Sequence, residues 1–153
     1  MTDVIGLLKA DHKKVRALFK EAGELGDRAH TARANLFSEI AAALKLHTKA
    51  EETIFYPALK KKSKAGSDER DEVLEAYEEH AAAKALIGTI EQTDPKDETY
   101  KAKVQVLGEM IEHHVKEEEA EMFKQARSLL SEDELVELGE EIAAMKEVQT
   151  ARV

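Results

Sequence analysis

The residues best suited to chemistry in this chain are four histidines and two glutamates that occur in the same order in each half. They are His12, His47, Glu51, His80, His114 and Glu118. The second set of three follows the first after 67 or 68 positions. Residues four apart on a helix lie on one face, so each His-x-x-x-Glu sequence can direct two ligand atoms at one point. The pattern predicts that all six residues bind metal.

The mixture of ligands indicates how many metal ions there are and of which kind. An ionised carboxylate in an apolar core is costly unless it is paired or binds a metal, and the helix faces that carry these glutamates have no lysine or arginine. Four imidazoles and two carboxylates suit two ions bridged by both carboxylates. Imidazole with carboxylate favours iron, with manganese or zinc as alternatives. His113 and Glu117 form a competing pair, which the repeat disfavours.

Apolar residues recur at spacings of three and four along the whole chain, which predicts an all-α protein. The first helix fades at residues 23–26, and the second runs from about residue 32 until Pro57 kinks or ends it. The third begins at Ser67 or Asp68, and the fourth spans about residues 97–127. The repeat superposes the apolar faces of helices one and two on those of three and four. We therefore predict an up-down four-helix bundle of two repeated helical hairpins in residues 1–127.

An additional C-terminal helix is predicted in residues 128–153. Ser131 and Glu134 have the spacing of a capping box. The residues that would dock this helix on the bundle are Leu135, Leu138, Ile142 and Met145. The helix either docks on the bundle or extends from it, and in a sensing protein it would relay a change in helix packing to a protein partner.

Composition excludes several classes of function. The chain has 153 residues, about one domain, and its net charge of -9 repels nucleic acid and anionic lipid surfaces. The absence of cysteine excludes disulfides, thiolate metal sites and thiol catalysis. No basic stretch followed by an apolar run opens the sequence, and no segment approaches 18 apolar residues, so we expect a cytoplasmic protein without a membrane span.

Short motifs surround each of the six metal-binding candidates. They are Asp11-His12, residues 47–52 followed by Ile54-Phe55-Tyr56-Pro57, Glu79-His80, and residues 114–119 followed by Met122-Phe123. In these motifs the sequence resembles the hemerythrin-like, or HHE cation-binding, family over roughly residues 3–127. The resemblance implies a bundle around a non-haem di-iron centre that meets O₂, peroxide or nitric oxide.

The sequence departs from oxygen-carrying hemerythrins in its third helix. Those proteins present two histidines four apart there, whereas the neighbours of His80 at that spacing are Ala76 and Lys84. Two histidines, both bridging carboxylates and a bridging oxo or hydroxo group would leave each iron one open position. Adjacent open positions would accommodate peroxide. The interpretation we favour is catalase-like decomposition of hydrogen peroxide in oxidative stress. The alternatives are an O₂, nitric oxide or iron binding or sensing module without turnover, and a purely structural metal site.

Two tyrosines are candidates for a further role at the metal. Tyr77 lies three residues before His80 on nearly the same face, so it is either a hydrogen-bond donor to a bound oxygen species or a core aromatic. Tyr56 lies nine residues after His47, and at roughly 100° per residue it should face away unless Pro57 distorts the helix. Four acidic neighbours are predicted to be solvated or capping charges, with orientation of an imidazole as the alternative. They are Asp11, Glu52, Glu79 and Glu119.

Overall fold

The computed structural model describes residues 2–151, and every regular element in that range is helical. The elements are α1 (Val4–Gly23), α2 (His30–Ala50), π1 (Glu51–Phe55), α3 (Tyr56–Lys62), α4 (Asp68–Glu91), α5 (Tyr100–Glu117), π2 (Glu118–Met122), α6 (Phe123–Leu129) and α7 (Glu132–Ala151). The elements π1 and π2 are turns of π-helix. Each joins its flanking α-helices into one rod, so residues 2–151 form five long helices. The prediction of an all-α protein is confirmed.

Helices α1, α4 and α7 begin where side chains satisfy free N–H groups of the first turn. Asp3 accepts a hydrogen bond from the Gly6 N–H at 2.9 Å, and Ser67 accepts one from the Arg70 N–H. Before α7, the Glu134 N–H donates to Ser131 Oγ and the Ser131 N–H donates to the Glu134 carboxylate. The predicted capping box is confirmed.

The two hairpins face each other across one core. Helix α1 packs on α2 and α5, and α4 packs on α5 and α2. The predicted bundle of two helical hairpins is confirmed, and corresponding parts of the two repeats occupy corresponding places in it.

Two apolar clusters divide the core into halves. One cluster contains Leu8, Phe55, Leu59, Val73, Met122 and Phe123 among others. The other contains Val15, Phe37, Leu44, Ile87, Leu107 and Ile111 among others. The six predicted metal-binding residues lie between these clusters and are called the polar layer below. Apolar side chains therefore seal the polar layer from both ends of the bundle.

Helix α7 packs on α1, α2 and π1. Leu135 and Ile142 are buried in the first apolar cluster, with Leu138 and Met145 packed against it, so the helix docks rather than extends. Met1, Arg152 and Val153, which belong to the two predicted segments, lie outside the described residues. Among residues 2–151, no helix is both long and apolar enough to cross a membrane.

Gly139 sets how closely α7 approaches the start of α1. A Cβ at this position would lie 2.9 Å from the Thr2 carbonyl oxygen and 3.0 Å from backbone atoms of Asp3 and Val4. We expect Gly139→Ala to lower the free energy of unfolding by about 1 kcal/mol or more, because overpacking must move one helix. Urea denaturation measures this change.

The matched control is Gly88→Ala in α4, where a Cβ would have no neighbour within 4 Å. It should stabilise the protein by about 0.5–1 kcal/mol, because alanine loses less backbone entropy than glycine in a helix. Equal changes in both variants would show that α7 is not closely docked at Gly139.

Candidate metal centre

The polar layer brings together all six residues that the repeat singled out. Helix α1 supplies His12, α2 and π1 supply His47 and Glu51, and the second hairpin supplies their three counterparts. None of the six is more than 6% exposed.

Each buried carboxylate contacts one histidine from each hairpin. Oε1 of Glu51 lies 3.1 Å from Nε2 of His47 and 3.1 Å from Nε2 of His80. Oε1 of Glu118 lies 3.1 Å from Nε2 of His12, and Oε2 of Glu118 lies 3.2 Å from Nε2 of His114. Both glutamates therefore occupy the places of bridges between the hairpins.

The four imidazoles form two pairs. The ring centroids of His12 and His47 are 4.9 Å apart, and those of His80 and His114 are 4.8 Å apart. We call the space next to the first pair position A and the space next to the second pair position B. At position B the two Nε2 atoms are only 3.2 Å apart, so two unprotonated nitrogens would repel each other there unless a proton or a cation lies between them.

A carboxylate outside the polar layer fixes each imidazole. The Nδ1 atoms of His12, His47, His80 and His114 lie 2.7, 2.8, 3.0 and 2.7 Å from carboxylate oxygens of Glu119, Asp11, Glu52 and Glu79, respectively. When Nδ1–H donates to a carboxylate, the lone pair of a neutral imidazole is on Nε2 and is available to a metal. Of the two roles that the sequence left open for these four acids, the structure supports orientation of an imidazole. All four Nε2 atoms point into the polar layer.

Several atoms of the layer lie close to one another, as described above, but have no hydrogen-bond partner within the described residues. They are Nε2 of His12, Nε2 of His47, both carboxylate oxygens of Glu51 and Oε1 of Glu118. Buried polar atoms are nearly always hydrogen-bonded, and unpartnered acceptors around one point match the demand of a cation. The donor set therefore fits a metal site.

The pKa values of the layer show the same demand for positive charge. Burial by itself disfavours the charged form of His47, but the Glu51 carboxylate and the hydrogen bond to Asp11 raise its pKa to about 10. Burial opposes charge on His114 as well, but hydrogen bonds to carboxylates, that of Glu118 foremost, raise its pKa to about 12. Burial alone would raise the pKa of Glu51, yet the charge on His47 holds it well below its usual value. In the metal-free protein, protons supply the charge that the carboxylates require.

Tyr56 faces the polar layer, so the prediction that it faces away was wrong. Its hydroxyl donates to Oε2 of Glu118 at 2.5 Å and lies 3.3 Å from Nε2 of both histidines at position B. The cause is π1, in which the Tyr56 N–H donates to the Glu51 carbonyl five residues back. The extra residue in this turn sets later side chains back by roughly 100°.

A signal for this turn was present in the repeat. Phe123 follows Tyr56 by 67 positions, and in π2 its N–H likewise donates to the Glu118 carbonyl. Its ring lies parallel to that of His12, with centroids 5.8 Å apart. An aromatic residue at the same place in both repeats thus marks a common inward position.

The other candidates lie outside the polar layer. The Tyr77 hydroxyl donates to the Glu52 carbonyl oxygen at 3.1 Å, and its ring packs edge-on against Tyr56. Of the two roles that the sequence left open for Tyr77, these contacts fit a core aromatic; to donate to a bound oxygen species, the hydroxyl would have to leave that carbonyl. His113 pairs with Glu117 at 3.2 Å, with its side chain 68% exposed.

Three cavities reach the polar layer. One of about 20 Å³ is lined by the four imidazoles, Thr48 and apolar side chains, including Val15, Leu44 and Ile111. A second, of about 130 Å³, contacts His114 and Glu118. Its remaining lining includes Glu72, Glu75, Glu79, Glu117 and Glu121.

A third cavity, of about 220 Å³, contacts His80 and His114. Its remaining lining is Glu79, Ala82, Ala83, Met110, Ile111 and His113. The inner space is small and mainly apolar, and the second cavity is strongly acidic.

One family model and several known proteins match most of this chain. The sequence model of the hemerythrin HHE cation-binding domain matches residues 3–126. A DNA nickase from Nostoc sp. is 28% identical over 140 residues, which are 92% of this chain but only 38% of that protein. An uncharacterized protein from Mycobacterium tuberculosis is 27% identical over 139 residues, covering 90% of this chain and 81% of that protein. The crystal structure of an HHE cation-binding domain-containing protein from Mycobacterium kansasii has a TM-score of 0.83 at 24% identity. The match covers 99% of this chain and 90% of the chain in that crystal structure.

The raised histidine pKa values give the metal-free protein a characteristic pH dependence. A group whose pKa rises on folding stabilises the protein fully below its unfolded value of about 6.5 and stops doing so above its folded value. With His47 at about 10, the melting temperature of the metal-free protein should fall as the pH rises from about 6.5 to 10. Differential scanning calorimetry tests this.

The control is His113→Gln, which removes an exposed histidine and should keep the wild-type profile. His47→Gln should make the fall shallower, and the fall that remains would come from His114, whose pKa is raised to about 12. A metal-free melting temperature that is constant between pH 6.5 and 10 would contradict the buried ion pairs.

Proposed function

This chain belongs to the hemerythrin HHE cation-binding domain family, and we propose that it holds two iron ions and decomposes hydrogen peroxide. The ion at position A would be held by His12 and His47, and the ion at position B by His80 and His114. Glu51 and Glu118 would bridge the two. The observation that carries the assignment is the set of four Nε2 atoms around two buried carboxylates, each imidazole fixed from behind by another carboxylate.

The donor set supports iron in particular. Imidazole nitrogens accept several transition metals and carboxylates favour harder ions, so the mixture suits iron. A pair of redox-active ions supplies electrons to a small oxygen species and takes them back, which disproportionation of peroxide requires. The rest of the chemistry falls to the protein.

The inner cavity and the acidic cavity beside it favour a small, uncharged substrate. The inner cavity of about 20 Å³ has room for a molecule only slightly larger than water. Glutamates around the second cavity repel anions and admit cations or neutral molecules. Hydrogen peroxide is small and neutral, and so it meets both conditions.

Tyr56 would hold the proton that peroxide chemistry needs. Burial and the charges of Glu51 and Glu118 raise the pKa of its hydroxyl well above the usual value. The hydroxyl therefore stays protonated, and it lies within 3.3 Å of the histidine nitrogens at position B. In this structure the hydroxyl donates its proton to Glu118. An ion held by that carboxylate would free the O–H group to donate a hydrogen bond to a substrate oxygen. Phe123, its counterpart at position A, offers none, so the two positions would differ in function.

We do not extend the activity of the Nostoc nickase to this chain. The matched part is 38% of that protein, and a net charge of -9 opposes contact with a phosphate backbone. Binding of O₂, nitric oxide or iron without turnover remains the alternative, and the first experiment below separates it from peroxide decomposition.

The ligand assignment is tested by His47→Ala. Iron-loaded wild-type protein should bind two ions per chain and evolve O₂ from hydrogen peroxide, whereas the variant should lose at least one ion and the activity, because position A has only two histidines. Metal analysis and an oxygen electrode measure both. The control is His113→Ala, in which an exposed histidine is lost.

Fully loaded protein that evolves no O₂ would contradict peroxide decomposition. If the same protein changed its optical spectrum reversibly with O₂ or nitric oxide, the binding alternative would replace it.

The role of Tyr56 is tested by Tyr56→Phe. We expect iron content to stay at two per chain and kcat for peroxide to fall at least tenfold, since a positioned proton donor typically contributes about 10²–10⁴-fold. The control is Tyr100→Phe, a buried tyrosine of the other apolar cluster, which should leave kcat unchanged. A larger loss in Tyr77→Phe than in Tyr56→Phe would assign the role to Tyr77 instead.

A further inference from the structure

The carboxylates behind the histidines follow the repeat, and so do two of the basic residues behind those carboxylates, but a third basic residue does not. Glu52 pairs with Lys84 at 2.7 Å, and its counterpart Glu119 lies 4.0 Å from Arg16. Of the remaining two, Asp11 is bound by Lys146, whose Nζ lies 2.5 Å from both carboxylate oxygens. Within residues 2–151, no lysine or arginine forms an ion pair with its counterpart Glu79.

Lys146 comes from α7, which lies beyond the residues that the family model matches. Its backbone is held in place because Ile142, one turn earlier, is fully buried. The side chains of Lys146 and Asp11 are 23% and 20% exposed, so solvent only partly screens their pairing. The lysine, Asp11 and His47 form a continuous chain of contacts from α7 to position A.

We propose that Lys146 is a positioning residue that fixes Asp11 against His47, and that α7 is thereby part of the metal centre. The inference rests on the proposed function, since position A must hold an ion for the effect on binding to appear. At position B the lysine behind a carboxylate is Lys84, which contacts Glu52 behind His80. Loss of Lys146 should therefore affect position A alone.

The sign of the effect separates positioning from simple electrostatics. Removing a positive charge near a cation strengthens binding of that cation through space. Removing the residue that orients a ligand's partner weakens binding, typically by about 10–100-fold. Positioning therefore predicts faster metal release from a Lys146 variant, and electrostatics alone predicts slower release.

The experiment compares release of iron from wild-type protein and from Lys146→Met. Both are loaded anaerobically with Fe(II), and a coloured chelator follows the loss of each ion. We expect two phases in the wild type, one of which becomes about tenfold faster in Lys146→Met while the other is unchanged. Lys146→Arg should restore the wild-type rate. Lys13→Met, which removes an exposed charge from the helix that carries Asp11, should have no effect.

A double-mutant cycle shows whether the lysine acts through Asp11. In the Asp11→Asn background, Lys146→Met should cause no further acceleration. Slower or unchanged release from Lys146→Met, or an equal acceleration in the Asp11→Asn background, would overturn the proposal. If Lys146→Met acted through partial undocking of α7, it would accelerate release equally in the Asp11→Asn background.

A second measurement needs no metal. In the metal-free protein, the His47 Nδ1–H proton should exchange with solvent faster in Lys146→Met than in the wild type, as followed by NMR. Unchanged exchange would contradict the positioning role. If wild-type protein bound no iron, the proposed function would fail, and the exchange rates would still decide whether Lys146 orders Asp11 and His47.

Discussion

Two ionised carboxylates enclosed in the middle of a helical bundle are the constraint on which the rest of this structure depends. Glu51 and Glu118 are no more than 2% exposed, and apolar clusters seal the space on both sides of them. Charges in such a place are tolerated only with counter-charge and full hydrogen bonding. The four imidazoles, the four carboxylates behind them and the Tyr56 hydroxyl all serve that requirement. A bound cation would complete it.

The arrangement of contacts couples metal binding to the assembly of the bundle. Each buried glutamate contacts a histidine of its own hairpin and one of the other hairpin. An ion held by these atoms would therefore tie the hairpins together rather than stabilise either one alone. Because such a site does not exist in the unfolded chain, the free energy of metal binding would add to the free energy of unfolding.

Sequence alone predicted the parts of the site that depend on local spacing. The pairing of His47 with Glu51 follows from helix geometry, and the repeat brings in the second hairpin. The partners of the outer carboxylates could not be predicted in this way. Asp11 is adjacent to His12 in sequence but hydrogen-bonds to His47 on the next helix, and only tertiary packing decides between them.

The position of Tyr56 could not be predicted from an ideal helix, because the chain leaves α-helical geometry where the buried glutamate begins π1. Pro57 lacks a backbone N–H and could be thought to cause that departure, but the second repeat makes the same turn with Lys124 in the corresponding place. The shared features are the glutamate that opens the turn and the aromatic residue that closes it. A π turn is rare and is frequently found at functional sites. Its presence in both repeats is therefore best explained by what it does here, which is to direct a carboxylate and an aromatic ring into the same small space.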